Sequence, residues 1–300
     1  MWTVGIIGLG TITKYYQKGI RASDYFSLTC VCDIDPDAPS GSFFPEAAFY
    51  TNYQEMIREA TPDFVIISTP PATHFAIARY ALNQGVNVII EKPATLNIED
   101  YRTLRQLAEE KSLIFEVSFH WQNGIEVLAF NREYTPEKIS QISVTVLDPY
   151  SADGIIIDPA KRKLMGAWVD SGVNALSMIA MWLPMINVEI LSLDKQLCPE
   201  SGLPIYIDAN LLIDSVPTRI CIDWRKHTNS KQTMLNYDGD ELLLDHSAQA
   251  IVRGDACINY GRMERLQEHY YHYFRSFRGH VEADRAQRIH ETLFKVVQAL

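Results

Sequence analysis

The chain has few basic residues, few cysteines and no long apolar run, and each shortage removes a class of function. Among 300 residues, 27 Lys and Arg face 37 Asp and Glu, a formal charge of −10. That balance opposes phosphate backbones and anionic bilayers, so neither nucleic acid nor membrane is expected as a partner. The most apolar window, 173–186, is interrupted by Asn174, Ser177 and Pro184 and falls short of the ~20 residues a bilayer core requires. Met1-Trp2-Thr3 places no basic segment before the first apolar run, so no secretory leader is expected. The five cysteines (Cys30, Cys32, Cys198, Cys221 and Cys257) are scattered and odd in number, which suits packing in a reducing cytoplasm better than disulfide or metal chemistry. No Gly-x-Ser-x-Gly elbow, Walker loop or Cys-x-x-Cys pair occurs, so hydrolase, nucleotide-triphosphatase and zinc-site readings lack their residues. With 47% hydrophobic and 21% charged residues, disorder and fibrous repeats are excluded as well.

What is present is a rhythm. Apolar, β-branched runs at 2–7, 26–32, 64–68, 86–90 and 114–118 are each closed by turn residues, with helical spacing at 53–60, 75–84 and 98–111 between them. Asn97 is a good cap for the last of these helices, with Glu99 and Asp100 in its first turn. Strands joined by crossover helices must run parallel, so a doubly wound α/β domain over 1–118 is expected, with its ligand site at the carboxyl ends of the strands. After Ser118 the pattern changes. Strand-like runs at 139–147, 190–194, 205–213 and 219–224, and a hairpin about Gly239, are joined by helices at 173–183, 264–277 and the C-terminus. This predicts an α+β domain over 119–300 on an open, largely antiparallel sheet. Tyr270, Tyr273, Phe274 and Phe277 form an aromatic stripe on the 264–277 helix. His269 and His272 on that helix read with the stripe as packing, and no metal site is expected.

Gly8-Leu9-Gly10-Thr11-Ile12-Thr13 leaves the first strand and opens a helix. Gly8 permits a tight turn, Gly10 lets backbone approach a pyrophosphate, and Thr11 and Ile12 carry amide donors toward it. Thr13 stands where the usual fingerprint has a small third residue. Asp33 closes the second strand, placed to accept the adenosine ribose hydroxyls. Asp33-Ile34-Asp35-Pro36 also reads as an Asx turn, and both readings hold together. Three acids and no base follow that strand, so NAD is expected over NADP.

Ser68-Thr69-Pro70-Pro71-Ala72-Thr73-His74 leaves the third strand, and Glu91-Lys92-Pro93 leaves the fourth. Together with the glycine turn, these stretches make the chain resemble the glucose-fructose oxidoreductase / inositol 2-dehydrogenase / rhizopine catabolism (Gfo/Idh/MocA) family of NAD(P)-dependent oxidoreductases. The resemblance runs through the whole chain and is strongest over the first 118 residues. It implies that Ser68, Thr69, Pro70, His74 and Glu91 border the cofactor, and that Lys92 touches both nicotinamide and substrate. It also implies that Asp170, of Asp170-Ser171-Gly172-Val173-Asn174, shares the chemistry. The family's common His is Asn174 here, as in the aldose 1-dehydrogenase branch (L-arabinose and D-galactose 1-dehydrogenases). Asparagine has no titratable group, so it can only orient an oxygen, and proton transfer falls to Lys92. That branch has Glu where Asp148 stands and a substrate His where Gly154 stands.

His120 and Trp121 follow the fifth strand, either as a sugar contact and stacking face or as interface packing. Lys161-Arg162-Lys163 reads as a solvated loop. The expectation is a cytoplasmic NAD(P)-dependent oxidoreductase acting on a sugar-like substrate, forming dimers or tetramers through the second sheet. The alternative is a cofactor-binding sensor that works through a protein partner.

Overall fold

The computed structural model describes residues 1–38, 44–279 and 282–300. They form two compact units, Met1–His120 with His269–Gln287, and Trp121–Glu268 with Arg288–Leu300.

The first unit alternates strand and helix as its apolar runs require: β1 Trp2–Ile7, α1 Tyr16–Arg21, β2 Phe26–Cys32, β3 Ala48–Tyr50, α2 Tyr53–Ala60, β4 Phe64–Ile67, α3 Pro71–Asn83, β5 Asn87–Glu91, α4 Ile98–Glu110 and β6 Phe115–Ser118. All six strands are parallel, in the order β3-β2-β1-β4-β5-β6. Strand order reverses between β1 and β4, and the crevice at that switch point is where such sheets bind ligands. Two helix starts show why local chemistry sets the boundaries. Asn97 accepts the Asp100 N–H at 2.7 Å as the α4 cap. α3 begins at Pro71 rather than Phe75, because a proline at the first turn has no N–H to leave unpaired. The three-residue strand β3 was not legible in the sequence; it is too short to carry a period.

The second unit holds α5 Ile125–Glu133, β7 Ile139–Pro149, the small hairpin β8 Ser151–Ala152 and β9 Ile155–Ile156, α6 Pro159–Arg162 and α7 Val173–Ile179. Then follow β10 Val188–Leu197, β11 Pro204–Ile213, β12 Val216–Asp223, β13 Arg225–Tyr237, β14 Asp240–Asp245, β15 Ala250–Arg253 and β16 Ala256–Asn259. These make an eight-stranded sheet ordered β10-β11-β12-β7-β13-β14-β15-β16. It is mixed: β7 and β12 pair in parallel, and every other neighbouring pair is antiparallel. β11 alternates buried and half-buried residues along its length, as a strand with one packed face must. The β13–β14 turn has Asp238 at φ 55° and Gly239 at φ 87°, the left-handed pair that matches the twist of a two-residue hairpin.

α8 Arg265–Ser276 and α9 Ala283–Ala299 complete the chain. A division at 118/119 leaves out one return of the chain: residues 269–287 belong to the first unit. The cause is the aromatic stripe. Tyr270, Tyr273, Phe274 and Phe277 are buried in one core with Val4, Ile6, Phe26 and Phe64, with the Phe274 ring 6.0 Å from Phe26 and the Phe277 ring 5.8 Å from Phe64. Large apolar rings of this kind dominate core energetics and are buried wherever a complementary face exists.

Candidate functional site

The glycine turn sits at the carboxyl end of β1, beside the end of β4. Gly8 has φ +93°, and a Cβ there would lie 2.8 Å from the backbone of Ser68 and Thr69. Only glycine fits. Its carbonyl accepts both the Ser68 hydroxyl at 2.8 Å and the Thr13 hydroxyl at 3.1 Å. Thr13 is fully buried; its hydroxyl, absent from the small residue usual at this place, braces the turn. Gly10 and Thr11 are exposed, Ile12 is half-buried, and a Cβ on Gly10 would meet nothing within 4 Å. That leaves open approach to the backbone, the property a pyrophosphate site needs. The α1 helix proper is short and is entered through a 3-10 turn, Thr13–Tyr15.

Asp33 does two things at once. Its Oδ2 accepts the Leu9 N–H at 2.7 Å, tying the second strand to the glycine turn, and its Oδ1 accepts the Asp35 N–H at 3.0 Å as an Asx turn. Each oxygen keeps a further lone pair for a ribose hydroxyl.

The segments after β4 and β5 are fastened together. His74, fully buried, places Nε2 2.8 Å from the Thr69 carbonyl and Nδ1 2.9 Å from the Pro93 carbonyl. Burial lowers its proton affinity, while the two carbonyls oppose that effect. Both ring nitrogens face backbone, so His74 clamps the Thr69 and Lys92-Pro93 loops. Glu91 is buried too. Its Oε1 accepts the hydroxyls of Tyr16 and Tyr270, each at 2.7 Å. Burial raises the Glu91 carboxyl above its ordinary range, against the two hydroxyls and the neighbouring Lys92 charge. It is an internal anchor for the two tyrosines. Lys92, next along the chain, is half-buried, as are Ser68 and Thr69, with Pro70 exposed.

His120 is buried with its Nδ1 3.0 Å from Nδ1 of His269, and its ring stacks on Tyr270 at 5.3 Å. In the second unit Trp121 is buried, 5.2 Å from the His246 ring, so it is core packing and not a stacking platform.

The second unit gathers its own polar group. Asp170 lies in a π-helical turn, Trp168–Gly172, that runs into α7. A Cβ on Gly172 would lie 2.8 Å from the Trp168 indole, which explains the glycine between Asp170 and Asn174. The Asn174 Nδ2 donates to the Asp170 carbonyl at 3.2 Å, leaving its buried Oδ1 with no hydrogen-bond partner among the described residues. Asp148, 2% exposed on β7, holds Lys231 of β13 at 2.8 Å. Burial raises the Asp148 carboxyl and lowers the Lys231 ammonium, each opposed by its partner's charge. Glu126 bonds His246 at 2.7 Å, and His246 bonds Thr233 at 2.8 Å. In the loop, Lys161 lies over the Tyr150 ring at 4.3 Å and Arg162 pairs with Glu200. Among the described residues no group of His, Cys, Asp and Glu could hold a metal ion, and no helix is long and apolar enough to cross a membrane.

The sequence singled out Tyr270 only as part of the aromatic stripe, and Tyr16, Lys231, Glu126 and Arg265 not at all; these polar groups meet their partners through contacts between residues distant in sequence.

A parallel sheet with the 3-2-1-4-5-6 order, a glycine turn at its switch point and an acid after the second strand is a dinucleotide-binding fold. Residues 2–119 match the Gfo/Idh/MocA family of oxidoreductases with an NAD-binding Rossmann fold. A UDP-N-acetylglucosamine 3-dehydrogenase of Acidithiobacillus ferrooxidans is 43% identical over 114 residues, 38% of this chain and 35% of that protein. An uncharacterised oxidoreductase of Bacillus subtilis is 25% identical over 253 residues, 75% of this chain and 64% of that one. The chain spans less than two thirds of the length of the curated relatives it matches. A solved structure of the Acidithiobacillus dehydrogenase shares the fold with a TM-score of 0.80 at 17% identity, over 100% of this chain and 97% of that one.

Proposed function

We propose that the protein is an NAD-dependent dehydrogenase or reductase acting at a carbinol or hemiacetal carbon of a sugar-like substrate. The observation that carries this reading is a shared sheet edge in the first unit: Lys92 leaves the carboxyl end of β5, and two strands away in the order β1-β4-β5 the carboxyl end of β1 carries a glycine turn that only glycine can form. When bound, a nicotinamide supplies or accepts a hydride at its C4. Gly8, Gly10, Thr11 and Ile12 admit the pyrophosphate, and Asp33 accepts the ribose hydroxyls. Lys92 takes the substrate hydroxyl proton on Nζ, or returns it in the reverse direction. Asp170 and Asn174 orient the reacting oxygen; Asn174 has an acceptor free at Oδ1 and no proton to exchange. The Asp170-Ser171-Gly172-Val173-Asn174 stretch supports an aldose 1-dehydrogenase-like specificity, with Asp148 as a further substrate contact. The five unpaired thiols support a reducing cytoplasm. Leu191 and Leu197, exposed on β10, support pairing of copies through the second sheet.

The test is cofactor reduction at 340 nm across a panel of aldoses and cyclitols with each cofactor. Tight NAD(P) binding without turnover of any member, together with capture of a protein partner, would replace this reading with a sensor.

A further inference from the structure

The second unit has a cavity of about 440 Å³ between one end of its sheet and α9, and no residue given a role above lines it. Small-molecule sites are of this size. One wall is a stripe of α9: Arg288, Thr292 and Lys295 stand four and three residues apart, on one face of the helix. The other wall is apolar, made by Met185, Ile186 and Val188 where the chain enters β10, and by Leu212 of β11. Hydrogen bonds fix both walls. Asp214 Oδ1 accepts the Ile186 and Asn187 N–H groups at 2.9 and 2.8 Å. Asp214 and Ser215, at φ 47° and 72°, form the two-residue turn from β11 to β12. On the helix side, the Trp168 indole N–H donates to the Leu293 carbonyl at 3.1 Å. The cavity is therefore part of the folded frame.

The lining specifies a ligand chemistry. Arg162, Arg219 and Arg225 each close onto a carboxylate. Arg288 does otherwise: its Nε is shut off from solvent and has no hydrogen-bond partner among the described residues. An unmade bond on a buried donor is costly, so a guanidinium kept in this state on a cavity wall calls for an acceptor. Lys295 donates to the Val188 carbonyl, which holds a second cation on the same stripe. Glu189 and Glu291 also line the cavity, so its formal charge sums to zero. A single carboxylate matches the planar fork of a guanidinium, whereas a second negative charge would meet the two acids. The four apolar side chains of the facing wall favour hydrocarbon beside that carboxylate. We propose that this cavity binds a small organic monocarboxylate with an apolar chain, its carboxylate seated on Arg288. The site belongs to the second unit alone, and the inference does not rest on the oxidoreductase reading.

Isothermal titration of the full chain tests this with acetate, butyrate and hexanoate, set against 1-hexanol and hexyl phosphate. Hexanoate should saturate one site per chain. Affinity should rise by about two- to fourfold for each methylene added between butyrate and hexanoate. Hexanol, which lacks the charge, and hexyl phosphate, which carries more of it, should each bind at least about tenfold more weakly. Arg288→Gln should weaken hexanoate by about tenfold or more and leave hexanol unchanged, because only the carboxylate contact is lost. Lys295 is exposed, so Lys295→Gln serves where Arg288→Gln does not fold; it should weaken hexanoate by about threefold and spare hexanol. Absence of saturable carboxylate binding by the wild type at millimolar concentration overturns the proposal. So does hexanol or hexyl phosphate binding as tightly as hexanoate. Unchanged hexanoate affinity in the folded variants overturns it too, as does an equal loss on hexanoate and hexanol, the mark of a structural role. None of these measurements reads turnover, so their failure leaves the oxidoreductase reading untouched.

Discussion

Tyr16 and Tyr270, from opposite ends of the chain, donate their hydroxyls to the same atom, Oε1 of Glu91, each at 2.7 Å. Their rings meet edge to face at 5.0 Å. The residue that follows Glu91 is Lys92, so the proposed acid/base hangs from a strand end pinned by the first helix and by α8 together. Burial drives both tyrosine hydroxyls well above their ordinary proton affinity, so they act as donors throughout the accessible pH range.

Removing one of these donors leaves Glu91 with a single hydroxyl. Tyr16→Phe and Tyr270→Phe should each lower stability by about 1–3 kcal/mol, and the double variant by more than the sum, because Glu91 then loses its last side-chain donor. The folded-state proton affinity of Glu91 is already raised, so its contribution to stability declines as pH rises through that folded value. Each substitution raises the affinity further. The deficit against wild type should therefore be larger near about pH 8 than near about pH 5 in urea titrations; an equal deficit at both would place a neutral Glu91 in the wild type.

Glu116 on β6 offers a second pH test. Burial, with a lesser contribution from the Glu282 charge, pushes its carboxyl up to about 8 from the usual 4.5. The folded state then holds the proton more tightly than the unfolded chain. Stability conferred by this group is complete below 4.5 and is lost as pH climbs toward about 8. Glu116→Gln should flatten that decline, gaining on the order of a few kcal/mol over wild type at alkaline pH and little at acid pH. Denaturation midpoints at the two extremes decide it, and parallel curves would show that Glu116 titrates normally.

Lys92→Ala should reduce kcat by about 10²–10⁴-fold, the range for a positioned acid/base, while cofactor affinity changes little. Stopped-flow hydride transfer and cofactor fluorescence titration separate the two quantities. Near-wild-type kcat would remove Lys92 from the chemistry.

Asn174→Ala should lower kcat/KM without moving the pH optimum, since asparagine exchanges no proton. The pH–rate profile checks this. A shifted optimum would mean that Asn174 tunes a titrating neighbour, and an unchanged kcat/KM would exclude it from the site.

The cofactor preference follows from the loop after β2. Asp33, Asp35 and Asp37 meet a 2′-phosphate with like charge, and no Lys or Arg stands among them. NAD should bind at least about tenfold more tightly than NADP, equivalent to ~1.4 kcal/mol. Ile34 is 91% exposed, so Asp33→Ser with Ile34→Arg places a cation where the phosphate would lie and should narrow or reverse the preference. Because Asp33 also holds the Leu9 N–H, the same variant should weaken NAD. Fluorescence titration with both cofactors measures these effects, and equal or tighter NADP binding by the wild type would overturn the assignment.

The chain's local chemistry determined the first unit almost completely. Short β-branched runs, capped helices and a glycine turn are decided by neighbours a few residues away, so β1, β2, β4, β5 and β6 fell where their patterns placed them. The places of Gly8, Asp33 and Lys92 at the ends of β1, β2 and β5 were legible for the same reason: the parallel neighbours of each strand follow from the crossover rule. Tertiary structure decided what no local pattern encodes. It returned 269–287 to the first unit because an aromatic stripe buries itself wherever a complementary core exists. It made His74 a clamp between two loops and Glu91 an anchor for two tyrosine hydroxyls, since buried polar atoms must find partners. It also brought Asp148 to Lys231 and set Arg265 within reach of Glu126. Cross-strand register and helix packing set those meetings, and neither is written in the spacing of the residues that meet.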